Sequence, residues 1–242
     1  MHAIKTNGLT KKYKDIIAVD NLCLEVCRGE IYSLLGVNGA GKTTAIKMLS
    51  CLTAPTDGDA TILGMSILQD AKSIKKLIAV SPQETAVAPN LSVKENLELI
   101  AGIHGFARSA TENKIAELAK LLSLEGILKR KAGKLSGGWQ RRLSIAMALV
   151  SEPLILFLDE PTLGLDVIAR SELWDIIRSL RGNVTVILTT HYMEEAEALS
   201  DRIGIMKNGR LLTTGTAKEL MTRAGTDKFE DAFITIVREG EV

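Results

Sequence analysis

The sequence predicts an α/β fold, because strand-length apolar runs alternate with segments of helical periodicity. One of those runs, Ile31 to Leu35, opens directly into a glycine-rich loop followed by a helical pattern. In chain order, the first thirty residues and the stretch Asp59 to Leu63 are strand-rich, and Lys42 to Leu52 reads as the helix after the loop. Further buried strands are expected at Leu77 to Val80, Leu154 to Leu158 and Val184 to Leu188. The last two are almost wholly apolar, as strands covered on both faces tend to be. Between Gln83 and Val150 helical periodicity replaces strands: Ile115, Leu118, Ala119 and Leu122 recur at i, i+3, i+4 and i+7, as do Leu143, Ala146, Met147 and Val150. The expected organisation is one domain over 1–242, with a core of 1–83 and 151–226, an inserted helical subdomain at 84–150, and a short amphipathic helix at 227–238.

Composition narrows the function classes. The 242 residues are 46% hydrophobic and 24% charged, ordinary for a chain that buries a sizeable core. The formal net charge is +1 with no basic run, so nucleic acid is not the expected partner. No apolar stretch reaches the roughly 18 residues that span a bilayer, and Met1-His2-Ala3-Ile4-Lys5 lacks a signal-peptide core, so a cytoplasmic location is expected. Cys23, Cys27 and Cys51 form no CxxC pair and read as reduced, mostly buried thiols, with Cys23 and Cys27 on one face of a strand.

Gly36-Val37-Asn38-Gly39-Ala40-Gly41-Lys42-Thr43 has the GxxxxGK(S/T) spacing of a phosphate-binding loop, and it sits between a strand and a helix as that motif requires. Its glycines let successive amides, with that of Ala40 among them, point at phosphate oxygens beside the positive end of a helix dipole. Lys42 supplies a charge for the β- and γ-phosphates, Thr43 a hydroxyl for Mg2+, and Thr44 support for the α-phosphate. Asp159 and Glu160 close an apolar strand, at the edge where ligands of open α/β sheets gather. Two adjacent carboxylates there call for a cation. Leu135-Ser136-Gly137-Gly138 places a hydroxyl and unhindered amides at a helix start, which makes a second anion site.

In this order the motifs resemble the nucleotide-binding subunits of ABC transporters, and the match runs from about Tyr13 to His191. The resemblance implies a RecA-like P-loop NTPase core with an antiparallel β subdomain and an inserted α-helical subdomain. It implies ATP and Mg2+ as ligands and ATP hydrolysis as the activity. Asp159 would hold Mg2+, mainly through water, and Glu160 would polarise the attacking water as general base. Gln83 matches the glutamine that touches Mg2+ or the attacking water, His191 the switch histidine at the γ-phosphate, and Tyr13 the aromatic that stacks on adenine. Ser136, Gly137 and Gly138 match the signature that closes over the nucleotide of a second copy in a head-to-tail dimer. Asp166 matches the aspartate crossing that interface, and its local role is the N-cap of the helix through Leu173, Ile176, Ile177 and Leu180.

In importers of this kind glutamine usually follows the signature glycines. Here Trp139 does, with Gln140 next. Leu143-Ser144-Ile145-Ala146 and Thr162-Leu163-Gly164-Leu165-Asp166 resemble the exporter branch that handles drugs, polysaccharides or ions. The expected partners are a second copy and integral membrane permease subunits, with the chain peripheral on the inner face of the membrane. The rival from another class is a soluble ABC ATPase acting on ribosomes or DNA. Relatives of that kind carry two cassettes, coiled coils or zinc modules, none of which the sequence shows.

Overall fold

The computed structural model describes residues 2–240. The chain runs β1 (His2–Tyr13), β2 (Ile16–Leu22), β3 (Glu25–Cys27), β4 (Ile31–Leu35), α1 (Lys42–Leu49), β5 (Asp57–Ile62), β6 (Met65–Ser66), α2 (Ala71–Ile74) and β7 (Ile78–Ser81). It continues through α3 (Val93–Ile103), α4 (Arg108–Leu121), α5 (Gly137–Leu149), β8 (Ile155–Asp159), α6 (Val167–Ser179), β9 (Thr185–Thr190) and α7 (Met193–Leu199). It ends with β10 (Arg202–Lys207), β11 (Arg210–Gly215), α8 (Ala217–Ala224) and α9 (Phe229–Glu239).

Two sheets organise these elements. The larger has the order β11-β10-β4-β9-β8-β7, parallel from β10 to β7 with β11 antiparallel at one edge. The smaller is antiparallel, in the order β2-β1-β5-β6 with β3 on β1. Every residue of β4, β8 and β9 is buried, which explains their unbroken apolar character. Register then decides where the motifs meet. Leu35 is level with Thr190, Asp159 with Thr189, and Ser81 with Leu158, so four segments distant in sequence leave the sheet at one carboxyl edge.

Helices cover both faces. Leu97 and Ala101 of α3, Ile115 and Leu118 of α4, and Leu143 and Ala146 of α5 close one core against Leu156, Leu158 and Leu188 of the sheet. A second core lies between the two sheets around α1, and a third seats Phe229, Phe233 and Ile236 of α9 on Leu35, Ile203 and Ile205. Helix starts follow local chemistry: Ser92 and Glu95 form a capping box for α3, Thr216 and Glu219 one for α8, and the Asp166 carboxylate accepts from the Ala169 amide at 2.9 Å.

Some expectations shift. The helix expected over Lys42 to Leu52 ends at Leu49, because Cys51 turns left-handed (φ 57°) and the amides of Leu52 and Thr53 both return to the Lys47 carbonyl. β8 and β9 run past their apolar cores to Asp159 and Thr190, since neighbouring strands carry the ladder onward. The cysteines are not mostly buried. Cys23 is exposed and Cys27 and Cys51 are half-buried. Cys23 also lies between β2 and β3 rather than in one strand with Cys27, and its sulfur takes the Gly8 amide. The hairpin of β10 and β11 and the helix α7 were not anticipated.

Candidate functional site

The loop between β4 and α1 is held by two close approaches. A Cβ at Gly36 would sit 2.4 Å from the Met206 carbonyl oxygen, and one at Gly41, where φ is 99°, would sit 2.4 Å from that of Ala18. Only glycine fits either place. Lys42, buried at 5% exposure, opens α1, and the first amides of that helix have no intrahelical acceptor. Its Nζ donates to the carbonyls of Gly36 (2.6 Å) and Val37 (3.2 Å), so the charge is already drawn over the loop.

The carboxylates answer from β8. The Asp159 Oδ1 accepts from the hydroxyls of Thr43 (3.0 Å) and Thr189 (2.6 Å). Glu160 follows with φ 49°, and its amide donates to Thr189, at 3.0 Å to the hydroxyl and 3.2 Å to the carbonyl. This turn points the two adjacent carboxylates to different partners. Glu160 Oε1 lies 3.4 Å from Lys42 Nζ, and Oε2 lies 2.8 Å from His191 Nδ1. Lys42 thus supplies a cation to Glu160, and a buried ion pair of this kind loses heavily when one member is removed.

A cleft of about 760 Å³ opens over this cluster. Asn38, Gly39, Ala40, Gly41, Lys42, Thr43 and Thr44 line it, together with Gln83, Glu160 and His191. Gly36 and Asp159 lie just behind that surface, both buried. Tyr13 does not line the cleft. It stands exposed at the end of β1, paired in register with Ile16, with Lys11 Nζ 5.1 Å from its ring. Ile16, Ile17 and Ala18 of β2 form that wall instead, and Leu163 and Asn208 complete it. These five were not singled out from the sequence.

Ser136, Gly137, Gly138 and Asp166 are also absent from the cleft wall. Ser136 is the exposed N-cap of α5, and its hydroxyl makes no capping bond. Trp139 is half-buried and packs against the helical core, with the Arg142 guanidinium 4.7 Å from its ring centre and paired to Glu172.

Two buried charged groups behind the site had no sequence signal beyond their identity. Arg141, 5% exposed, donates Nη1 to the Pro82 carbonyl at 2.6 Å and Nη2 to that of Gln83. Glu195 of α7 is fully buried, and its Oε1 accepts from Trp174 Nε1 at 3.2 Å. Its Oε2 and the nearby Thr162 hydroxyl meet no hydrogen-bond partner among the described residues. Burial pushes this carboxyl up from the ordinary 4.5; the Trp174 indole, its hydrogen-bond donor, opposes the shift, and the charge of Glu160 adds to it.

The folded chain therefore keeps a proton on Glu195 where the unfolded chain has lost it, and stability falls as pH rises from the unfolded value towards the folded one. Glu195→Gln, neutral throughout, is expected to lose this dependence. Its melting temperature relative to the parent should climb as pH rises above the ordinary carboxylate range, and a difference that does not change with pH would refute the raised carboxyl.

The residues fit a nucleotide and its metal. Free helix amides, a glycine cradle and Lys42 suit a polyphosphate, while a hydroxyl and a carboxylate oxygen 3.0 Å apart are the hard donors that Mg2+ takes beside phosphate oxygens. Comparison with known proteins agrees. The family profile described as "ABC transporter" matches residues 19–163. The doxorubicin resistance ATP-binding protein DrrA of Mycobacterium tuberculosis is 42% identical over 238 residues, covering 97% of this chain and 70% of the relative. The probable multidrug ABC transporter ATP-binding protein YbhF of Escherichia coli is 38% identical over 242 residues, covering 98% of this chain and 42% of the relative.

Among solved structures, an ATP-binding subunit of an ABC transporter superposes with a TM-score of 0.85 at 26% identity, covering 97% of this chain and 99% of that one. The dimeric post-hydrolysis state of the cassette MJ0796 bound to ADP and Pi superposes with a TM-score of 0.79 at 28% identity, covering 88% and 98%. With a phosphate loop, an acidic strand end and a histidine gathered at one sheet edge, and with relatives of this kind along almost its whole length, the chain belongs to the ABC transporter family as an ATP-binding, ATP-hydrolysing subunit.

Proposed function

We propose that the chain binds and hydrolyses Mg-ATP in a head-to-tail dimer and so drives export through separate membrane subunits. Lys42 and the amides from Asn38 to Thr44 hold the phosphates, with Gly36 closing the loop. Tyr13, level with Ile16 at the cleft wall, flanks the adenine. Thr43, Asp159 and Gln83 hold Mg2+, which neutralises the developing charge when bound. Glu160 takes a proton from the attacking water, and His191, fixed to it by the 2.8 Å bond, meets the γ-phosphate. The observation that carries this reading is the Lys42, Glu160 and His191 cluster in the cleft, the first two buried and His191 half-buried, joined through adjacent strand ends to Thr43 and Asp159.

Dimer formation is supported by the signature residues: Ser136, Gly137 and Gly138 face away from their own cleft with an unused hydroxyl, and Asp166 lies beside the exposed Val167 and Ile168. A second copy is the reading that gives them a ligand.

Export is favoured by the relatives named for drug resistance. Among the described residues no helix is long and apolar enough to cross a membrane, and docking to permease subunits would hold the chain at the inner face. The expected docking surface is the segment from Glu84 to Asn96 after Gln83. Beside it lies a groove of about 330 Å³ between β7, α3 and α5, with Val80, Ala86, Ile100 and Met147 in its wall.

Single cysteines at Thr85 or Ala88, in a chain with Cys23, Cys27 and Cys51 replaced by serine, should cross-link to cytoplasmic segments of the permease subunits. Cross-links obtained only from α9 would overturn the docking assignment.

A further inference from the structure

Between the end of β7 and the start of α3 the chain crosses eleven residues without helix or strand, and Gln83 stands near the beginning of that crossing. Its far end is anchored by Asn96, whose side chain accepts from the Ala88 amide at 2.8 Å and donates to the Ala88 carbonyl at 3.2 Å. At the near end the two successive carbonyls of Pro82 and Gln83 are taken by one group, the guanidinium of Arg141. One turn later on the same helix face the Ser144 hydroxyl meets that of Ser81 at 2.9 Å. Helix α5 thus grips the last residue of β7 and the loop that follows it.

Arg141 is an unusual choice of partner for two carbonyls. It is 5% exposed, and among the described residues no carboxylate lies within ion-pair distance of it, although Asp159 favours its charge from farther away. Burying a guanidinium this way carries a desolvation cost that neutral packing would avoid. What the charge obtains is a planar fork whose two arms fix consecutive carbonyls, a geometry that a lysine ammonium does not reproduce. The fixed element is the backbone of Gln83, whose side chain lines the cleft with Lys42, Thr43 and Glu160.

We propose that Arg141 is the positioning residue for Gln83, fastening the loop that presents this side chain to the helix that begins at the signature serine. The inference rests on Gln83 facing the metal or the attacking water. Only four residues, and about 7.5 Å of helix, separate the cap Ser136 from Arg141, with no loop between them. Contact of Ser136 with a partner's nucleotide is therefore transmitted to Gln83 of its own site by a rigid rod.

Two substitutions test this: Arg141→Lys, which keeps the charge and most of the stem, and Arg141→Gln. In the nucleotide-free protein, deuterium uptake is expected to rise at the amides of 83–87 while β7 and α3 stay protected and the melting temperature moves little. In steady state, kcat should fall roughly ten- to hundred-fold with KM almost unchanged, as for groups that orient a ligand-contacting residue. Gln83→Ala should produce a loss of similar size, and the Arg141→Gln, Gln83→Ala double variant should be no slower than the worse single one. Multiplicative losses would overturn the proposal and leave the role of Gln83 standing. Unchanged exchange at 83–87 in both Arg141 variants would overturn it as well. An unaltered kcat in Gln83→Ala would instead overturn the role of Gln83, and the proposal with it.

Discussion

Glu160→Gln is expected to lower ATP hydrolysis about a hundred- to ten-thousand-fold, the range that a general base contributes, while nucleotide affinity survives. Glutamine keeps the length and shape of the side chain. Lys42 retains its bonds to the carbonyls of Gly36 and Val37, and Thr43 keeps Asp159. Binding is left intact while the step that ends it is removed. Two chains should then accumulate in Mg-ATP as a dimer holding two nucleotides, each γ-phosphate still accepting from Ser136 and Gly138 of the opposite chain. Adding Ser136→Arg should abolish that dimer, since the exposed cap is where phosphate would enter. Apparent mass in Mg-ATP, compared with Mg-ADP, reads the result. A variant that hydrolyses at the parent rate refutes the base, and one that stays monomeric at high concentration refutes the homodimer.

Lys42→Ala should abolish hydrolysis for a different reason. The lost charge-assisted hydrogen bonds to phosphate are worth about 1.5–3 kcal/mol, or roughly ten- to hundred-fold in ATP affinity. A second loss appears without nucleotide. Glu160, 6% exposed, would lose the Lys42 ammonium and keep only its bond to His191, and breaking a buried pair typically costs about 3–5 kcal/mol. Titration of ATP binding separates the two effects when combined with a melting curve of the free protein. Undiminished affinity would contradict the role given to Lys42.

Much of this site was legible because its chemistry is written at strand ends. Gly36 to Thr43, Gln83, Asp159, Glu160 and His191 each follow an apolar run, and parallel pairing of those runs brings them together. The spacing of Ser136 to Gly138 and the N-cap at Asp166 were legible too, since both depend on local helix-start chemistry. The hairpin of β10 and β11 was missed although Asn208 (φ 48°) and Gly209 (φ 80°) form the Asn-Gly pair that turns such hairpins, flanked by alternating apolar residues.

The wall formed by Ile16, Ile17 and Ala18 has no motif: these residues matter only because the β1–β2 hairpin folds back over the loop, with the Ala18 carbonyl against Gly41. Arg141 and Glu195 lay outside reach for a related reason. Their neighbours are set by tertiary packing, and a charged residue in a helical pattern reads as solvent-facing until burial is known.

The backbone at Glu160 carries a further meaning. Among the described residues eight that are not glycine take positive φ, and of these Glu160 alone is buried. For a residue with a Cβ that conformation costs roughly 1–2 kcal/mol, which glycine would relieve, yet glycine would also leave the buried Lys42 without its carboxylate partner, a loss of about 3–5 kcal/mol. The ion pair is what holds the strained turn in place. Thermostabilisation of this protein therefore cannot begin by relaxing residue 160 alone.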